Sequence, residues 1–113
     1  MPAVKKGAKT LDERIGSERL ARVSELLRTV AHPQRLAILD VLGADARMCN
    51  SEIQERIGIE QAILSQHLTL MRDKGILECE REGKFTYWQV RIPGFLAIVK
   101  GLENCCDDAG KWN

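Results

Sequence analysis

A change of hydrophobic period near Gly75 limits the fold more than any other feature of this chain. Upstream of it, apolar residues recur at steps of three and four: Leu20, Val23, Leu26, Leu27 and Val30, then Leu36, Ile38, Leu39 and Leu42. That spacing lines one face of a helix. Downstream, Ile76 to Arg81 and Phe85 to Arg91 are short strand-like runs joined through Glu82-Gly83, which is a hairpin signal. In the second run Thr86, Trp88 and Val90 fall on one face, expected to be the core face, and Phe85, Tyr87 and Gln89 on the other. A chain of 113 residues has room for one core, so the helices and the hairpin must share it.

Punctuation residues divide the helical part. Thr10-Leu-Asp-Glu13 has the form of a capping box, but Gly16 soon weakens a helix there, so residues 1–16 are expected to be a flexible basic arm. Ser17 starts the first long helix. His32-Pro33 opens the second, with proline where its missing N–H costs nothing, and Gly43 is its expected stop. Ser51-x-x-Gln54 reads as a capping box for a short helix ending at Gly58. Gln61 to Lys74 reads as a longer helix, with Ile63, Leu64, Leu68 and Met71 inward and Gly75 as C-cap. Pro93 begins the last helix, where Phe95, Val99, Leu102 and Cys106 form a stripe. The predicted order is α-α-α-α-β-β-α, mainly α with a small β-hairpin. The domain is expected over residues 17–108, with 109–113 as a tail.

A short capped helix, a glycine turn and a longer helix make a helix-turn-helix, and the hairpin behind it makes a wing. Gln61, Ser65, Gln66 and Thr69 lie opposite the apolar face of the longer helix. Glutamine can bond an adenine edge bidentately, and serine or threonine can bond bases or phosphates. Arg81 and Lys84 at the wing tip suit phosphate. The bland reading is a polar helix surface followed by a small hairpin, and the main functional competitor is a winged-helix protein-interaction module without DNA binding. An enzyme is poorly supported, because there is no Gly-rich phosphate loop, no His within a nucleophile motif and no paired acid/base carboxylates.

Residue-level motifs decide between these readings. Ala31-His-Pro-Gln-Arg-Leu-Ala-Ile-Leu39, Ser51-Glu-Ile to Gly58, Leu64-Ser-Gln-His-Leu68 and Met71-Arg-Asp-Lys-Gly-Ile-Leu77 follow in order, and Arg81-Glu-Gly-Lys84 closes the series. Together they resemble the ArsR family of winged-helix repressors over about residues 18–106. The resemblance implies a recognition-helix role for Gln61, Ser65, Gln66 and His67, and a subunit interface formed by the first and last helices. For His67 a phosphate contact or a structural hydrogen bond is expected rather than metal ligation, and His32 is expected to cap a helix. There are departures. Glu80 stands where the family often has a basic wing residue, and residues 50–91 hold six basic and seven acidic groups. Dimeric binding and the N-terminal arm, where residues 1–31 carry seven basic against four acidic groups, therefore matter more. A two-fold partner would also bury Leu20, Val23, Leu27, Phe95, Val99 and Leu102.

No apolar run reaches the ~18 residues of a membrane span, and no signal-peptide pattern precedes the first helix. The expected location is the cytoplasm, where the four cysteines would be thiols. Cys49 precedes the Ser51 helix, Cys79 lies inward in the first wing strand, and Cys105 and Cys106 are adjacent near the end of the last helix. The family's Cys-x-Cys arsenic site is incomplete, since Cys49-Asn50-Ser51 lacks the second thiol, and the last helix has no His for its other metal site. Two sensing readings remain open beside simple packing. Cys105 and Cys106, with or without Cys49, could take a thiophilic metalloid or metal ion as inducer. Alternatively, Cys49 and one of the pair could form a reversible disulfide or polysulfide bridge. No cofactor is required for DNA binding.

Overall fold

A computed structural model describes residues 7–45 and 47–110. Its elements are α1 (Leu11–Ile15), α2 (Ser17–Val30), α3 (Pro33–Asp45), β1 (Met48–Cys49), α4 (Asn50–Ile57), α5 (Gln61–Asp73), β2 (Leu77–Glu82), β3 (Phe85–Val90) and α6 (Gly94–Ala109). The helices and the hairpin agree with the expected winged-helix order. One element was not expected. β1 pairs antiparallel with β3, Met48 opposite Trp88 and Cys49 opposite Tyr87, so the hairpin is part of a three-stranded sheet in the order β1-β3-β2. The part of the expected arm that is described also differs, because Leu11–Ile15 form a helical turn.

The core is apolar and continuous. Ile38, Leu39 and Leu42 of α3, Ile53 of α4, and Leu64, Leu68 and Met71 of α5 are fully enclosed, with Ile76 and Leu77 entering from the sheet side. Each such side chain stabilises the fold by roughly 1.5–3 kcal/mol relative to exposure. Trp88 fills the sheet's inner face as its alternation predicts, and its Nε1–H donates to Asn50 Oδ1 at 2.7 Å. That bond ties the wing to the first turn of α4.

Three details depart from the sequence reading. Gly43 does not stop α3, which continues to Asp45. A Cβ at position 43 would lie 2.8 Å from Leu96 Cδ2, so the missing side chain lets α6 approach α3 closely. The capping box of α4 sits two residues earlier than expected. Cys49 is in the extended conformation that an N-cap needs, because it ends β1, and its N–H donates to the Glu52 carboxylate at 3.1 Å. That backbone bond holds the Glu52 carboxyl below its ordinary pKa. Ile63 lies on the outer side of α5, 39% exposed, because the buried stripe runs through Leu64, His67, Leu68 and Met71.

The end of α5 aims the wing. Gly75 takes φ +83°, its N–H bonds to Arg72 O and the Ile76 N–H to Met71 O, which is the paired closure of a Schellman motif. Only glycine adopts that conformation without steric cost, and the chain leaves it directly into β2.

Candidate nucleic-acid interface

α4 and α5 are joined by a turn in which Gly58 is left-handed and its N–H bonds to Gln54 O at 2.8 Å. With Leu64, Leu68 and Met71 anchored, α5 turns Gln61, Gln66 and Thr69 outward and leaves Ser65 half-buried at the margin. Ser65, Gln66 and Thr69 line a shallow surface depression with Leu70 and Asp73. Gln61 and Lys84 meet across a second concavity whose walls include Ser51 and Gln54 of α4 and Thr86 of β3. The structure thus gathers Gln61, Ser65, Gln66 and Thr69 on one helix and sets Lys84 beside its start. Arg81 is exposed on the wing, its Nε–H donating to Gly83 O at 3.2 Å across the turn.

His67 is the exception among the expected DNA-contacting residues. It is 8% exposed and points toward α3. Arg35 Nε–H donates to its Nδ1 at 3.1 Å, and its Nε2 lies 2.9 Å from Gln34 Oε1. An acceptor at Nδ1 leaves the ring proton on Nε2, so the imidazole in this network is neutral. The His32 ring stands 4.7 Å away, centroid to centroid. Burial first, then the Arg35 charge and His32, push the His67 pKa down. The structural hydrogen bond is therefore the role the geometry gives it, not a phosphate contact. His32 does cap, since its Nδ1 accepts from the Gln34 N–H at 3.1 Å.

The sequence reading missed Arg47, which lies between α3 and β1 where no periodicity marks it. Its guanidinium is 2.8 Å from Glu82 and 3.8 Å from Glu80, and stacks 4.3 Å from the Tyr87 ring centroid. The Glu82 hydrogen bond raises the Arg47 pKa. Glu80, the acidic departure noted above, thus has a cation beside it. These groups are solvated, so the contact orients the wing more than it stabilises it.

All four cysteines are free thiols. Cys49 is 6% exposed, its Sγ is 3.2 Å from Ser51 Oγ, and it borders the concavity that holds Gln61 and Lys84. Cys79 is half-buried and packs against the core. Cys105 and Cys106 are both exposed on α6. The expected stripe of α6 is therefore broken: Phe95 is 4% exposed inside the chain's own core, Val99 packs against it, and Cys106 is in solvent. The described residues contain no cluster of three or more His, Cys, Asp or Glu able to hold a metal ion.

A three-helix core carrying a helix-turn-helix and a β-wing, with an uncharged hydrogen-bonding row on the second helix, defines a winged-helix DNA-binding protein. Comparison with known proteins narrows the class. Residues 32–78 match the family described as bacterial regulatory protein, arsR family. The transcriptional repressor PagR of Bacillus anthracis is 33% identical over 93 residues, 82% of this chain and 93% of that protein. Its crystal structure superposes with a TM-score of 0.69, covering 75% of this chain and 97% of that one at 34% identity. The biofilm growth-associated repressor of Xylella fastidiosa is 34% identical over 75% of this chain and 74% of its own length. The structure of HlyU from Vibrio cholerae, 26% identical, gives a TM-score of 0.71 over 79% of this chain and 96% of that one. The chain belongs to the ArsR family of bacterial transcriptional regulators, and its work is DNA-binding regulation rather than enzymatic turnover. No helix among the described residues is long and apolar enough to cross a membrane.

Proposed function

We propose that the protein is a cytoplasmic, homodimeric repressor that covers operator DNA with α5 and the wing of each protomer, and lets go when its thiols are occupied. The observation that carries the DNA-reading part is the division of α5 into an anchored inner face and an outward row of Gln61, Gln66 and Thr69 with Ser65 beside it. Gln61, Ser65, Gln66 and Thr69 are assigned to base edges and nearby phosphates, Arg81 and Lys84 to the backbone. Repression is the sense carried by the names of the PagR and biofilm relatives. DNA binding needs no cofactor in this reading.

Dimerisation is assigned to α1, α2 and α6, where Leu11, Val23, Leu27 and Ile98 are exposed large apolar residues. A two-fold partner covers them and doubles the number of phosphate contacts, which an acidic wing makes necessary.

The inducer site is assigned to Cys105 and Cys106, whose exposed thiols can give two thiolates to a thiophilic metalloid or metal ion. Among the described residues of one chain no third ligand completes the set, so further donors would come from water or the other protomer. A second reading rests on Cys49. Its thiol caps the first helix of the helix-turn-helix, so a disulfide or polysulfide bridge from Cys49 to the α6 thiols would disturb DNA reading directly.

One experiment tests these assignments together. Duplexes enriched by the protein from random DNA are bound in a gel shift over a salt series, before and after arsenite, zinc, a disulfide oxidant or polysulfide, with intact mass measured in parallel. Steeply salt-dependent binding is expected. Release should be lost in Cys105→Ser/Cys106→Ser, and Cys49→Ser should abolish release only if a bridge is the switch. Absence of salt-sensitive DNA binding would leave a protein-interaction module. Release of the double variant by every agent would remove the α6 thiols from the function.

A further inference from the structure

The chain has two histidines, and they stand together between α3 and α5. Around them a side-chain network spans three helices. Arg35 donates from Nη1 to the Thr29 carbonyl of α2 at 2.7 Å and from Nε to His67 Nδ1 of α5. His67 Nε2 meets Gln34 Oε1, and His32 Nδ1 receives the Gln34 N–H. The contact lies behind the outward row of α5, so it fixes that row relative to the scaffold without touching DNA.

We propose that His67 is a positioning residue for the DNA-reading helix, and that its contact with Arg35 and Gln34 is a latch that one proton opens. The acceptor in the latch is the lone pair of Nδ1. A proton taken from solvent at Nδ1 removes that acceptor, leaves Arg35 Nε–H without its partner and places a second cation against the guanidinium. The charged or titratable groups that bear on His67 are Arg35 of α3 and His32, which caps that helix, and the α2 side contributes only the Thr29 carbonyl, through Arg35. With no carboxylate among them to welcome the charge, burial and both neighbours favour the neutral ring. Acidification therefore acts on folding and on DNA binding with one sign. The folded His67 pKa lies below the unfolded value of about 6.5, so the stability it contributes is full above that value and is lost as pH falls toward the folded pKa.

The inference rests on the DNA-binding reading, and the test separates the two. Binding of the full chain to an enriched duplex is followed by fluorescence anisotropy from pH 7.5 to 5.5 at fixed salt with reductant present, while the two imidazoles are titrated by NMR without DNA. If only the latched form binds, affinity falls on acidification below the His67 pKa with a slope approaching tenfold per pH unit for each latch that must be closed, and so up to about a hundredfold for a dimer that reads with both helices. The NMR midpoint of His67 should match the bend in that curve, and the Arg35 Nε–H signal should be lost with the same midpoint. His67→Gln, whose amide can accept from Arg35 and donate to Gln34, should show a flat profile whatever its absolute affinity. His32→Gln should keep the wild-type slope. Tighter binding in acid would mark His67 as a phosphate contact and overturn the latch, as would an unchanged slope in His67→Gln or an Arg35 Nε–H signal indifferent to His67 protonation. The NMR arm decides the latch even if no DNA is bound at pH 7.5, an outcome that would instead refute the DNA reading.

Discussion

The bond between Trp88 and Asn50 offers a direct measure of how firmly the wing is fastened to the helix-turn-helix. Trp88 is buried, and its Nε1–H has Asn50 Oδ1 as acceptor at 2.7 Å. Asn50→Ala deletes the acceptor and strands a donor in the core, which should cost about 1–3 kcal/mol. Trp88→Phe deletes the donor but leaves a half-buried amide that water can reach. Its cost is about 1 kcal/mol for the bond and about 1–2 kcal/mol for the lost ring volume. Asn50→Asp keeps an acceptor, charges it and places that charge in the first turn of α4, so it should be neutral or stabilising. Urea unfolding followed by circular dichroism at fixed protomer concentration measures all three, and a double-mutant cycle isolates the bond, expected at about 1 kcal/mol. Thermal midpoints should fall by about 4 °C per kcal/mol. An Asn50→Ala variant within ~0.3 kcal/mol of the parent, or a cycle with no coupling beyond ~0.3 kcal/mol, would refute the fastening.

Two further predictions concern recognition and assembly. Gln66→Ala should reduce discrimination for an enriched site by ~1–3 kcal/mol, whereas Lys84→Ala should weaken all sequences alike and flatten the salt slope. Competition binding against random DNA distinguishes them, and an equal loss on both kinds of DNA for Gln66→Ala would move that residue to the backbone contacts. Leu27→Asp should give monomers with weak DNA binding by sedimentation, because it sets a charge in the proposed interface while sparing the core. An intact dimer in that variant would place the interface elsewhere. Val99→Asp is a poorer test, since Val99 also packs against the chain's own core.

Much of this architecture was legible because it depends on repetition. The three-to-four spacing of Leu64, Leu68 and Met71 orients α5, and alternation sends Trp88 inward, so neither needed tertiary information. His67 was legible too. It sits three residues after Leu64 and four before Met71, on the buried stripe, but its polarity and its place within Ser-Gln-His-Leu suggested an outward role. What stayed hidden depends on long-range pairing. β1 is two residues long, too short to alternate, and exists because β3 offers a free edge to Met48 and Cys49. That pairing also moved the cap of α4 from Ser51 to Cys49. Arg47 acquired its partners only when the wing folded beside it. The exposure of Cys106 likewise depends on how α6 rolls once Phe95 is seated.

The missing Cβ at Gly43 has a meaning for how this chain can change by descent. Alanine there would gain about 1 kcal/mol of helix propensity, offset by about 0.5–1.5 kcal/mol for turning the Leu96 tip away from its 2.8 Å encounter. That substitution is close to silent. A branched or longer residue has no such escape while leucine occupies position 96, because α6 would have to lift from α3 and unseat Phe95. Beyond alanine, position 43 is thus free to grow only as position 96 shrinks, a bulkier residue on one helix waiting for a smaller one on the other.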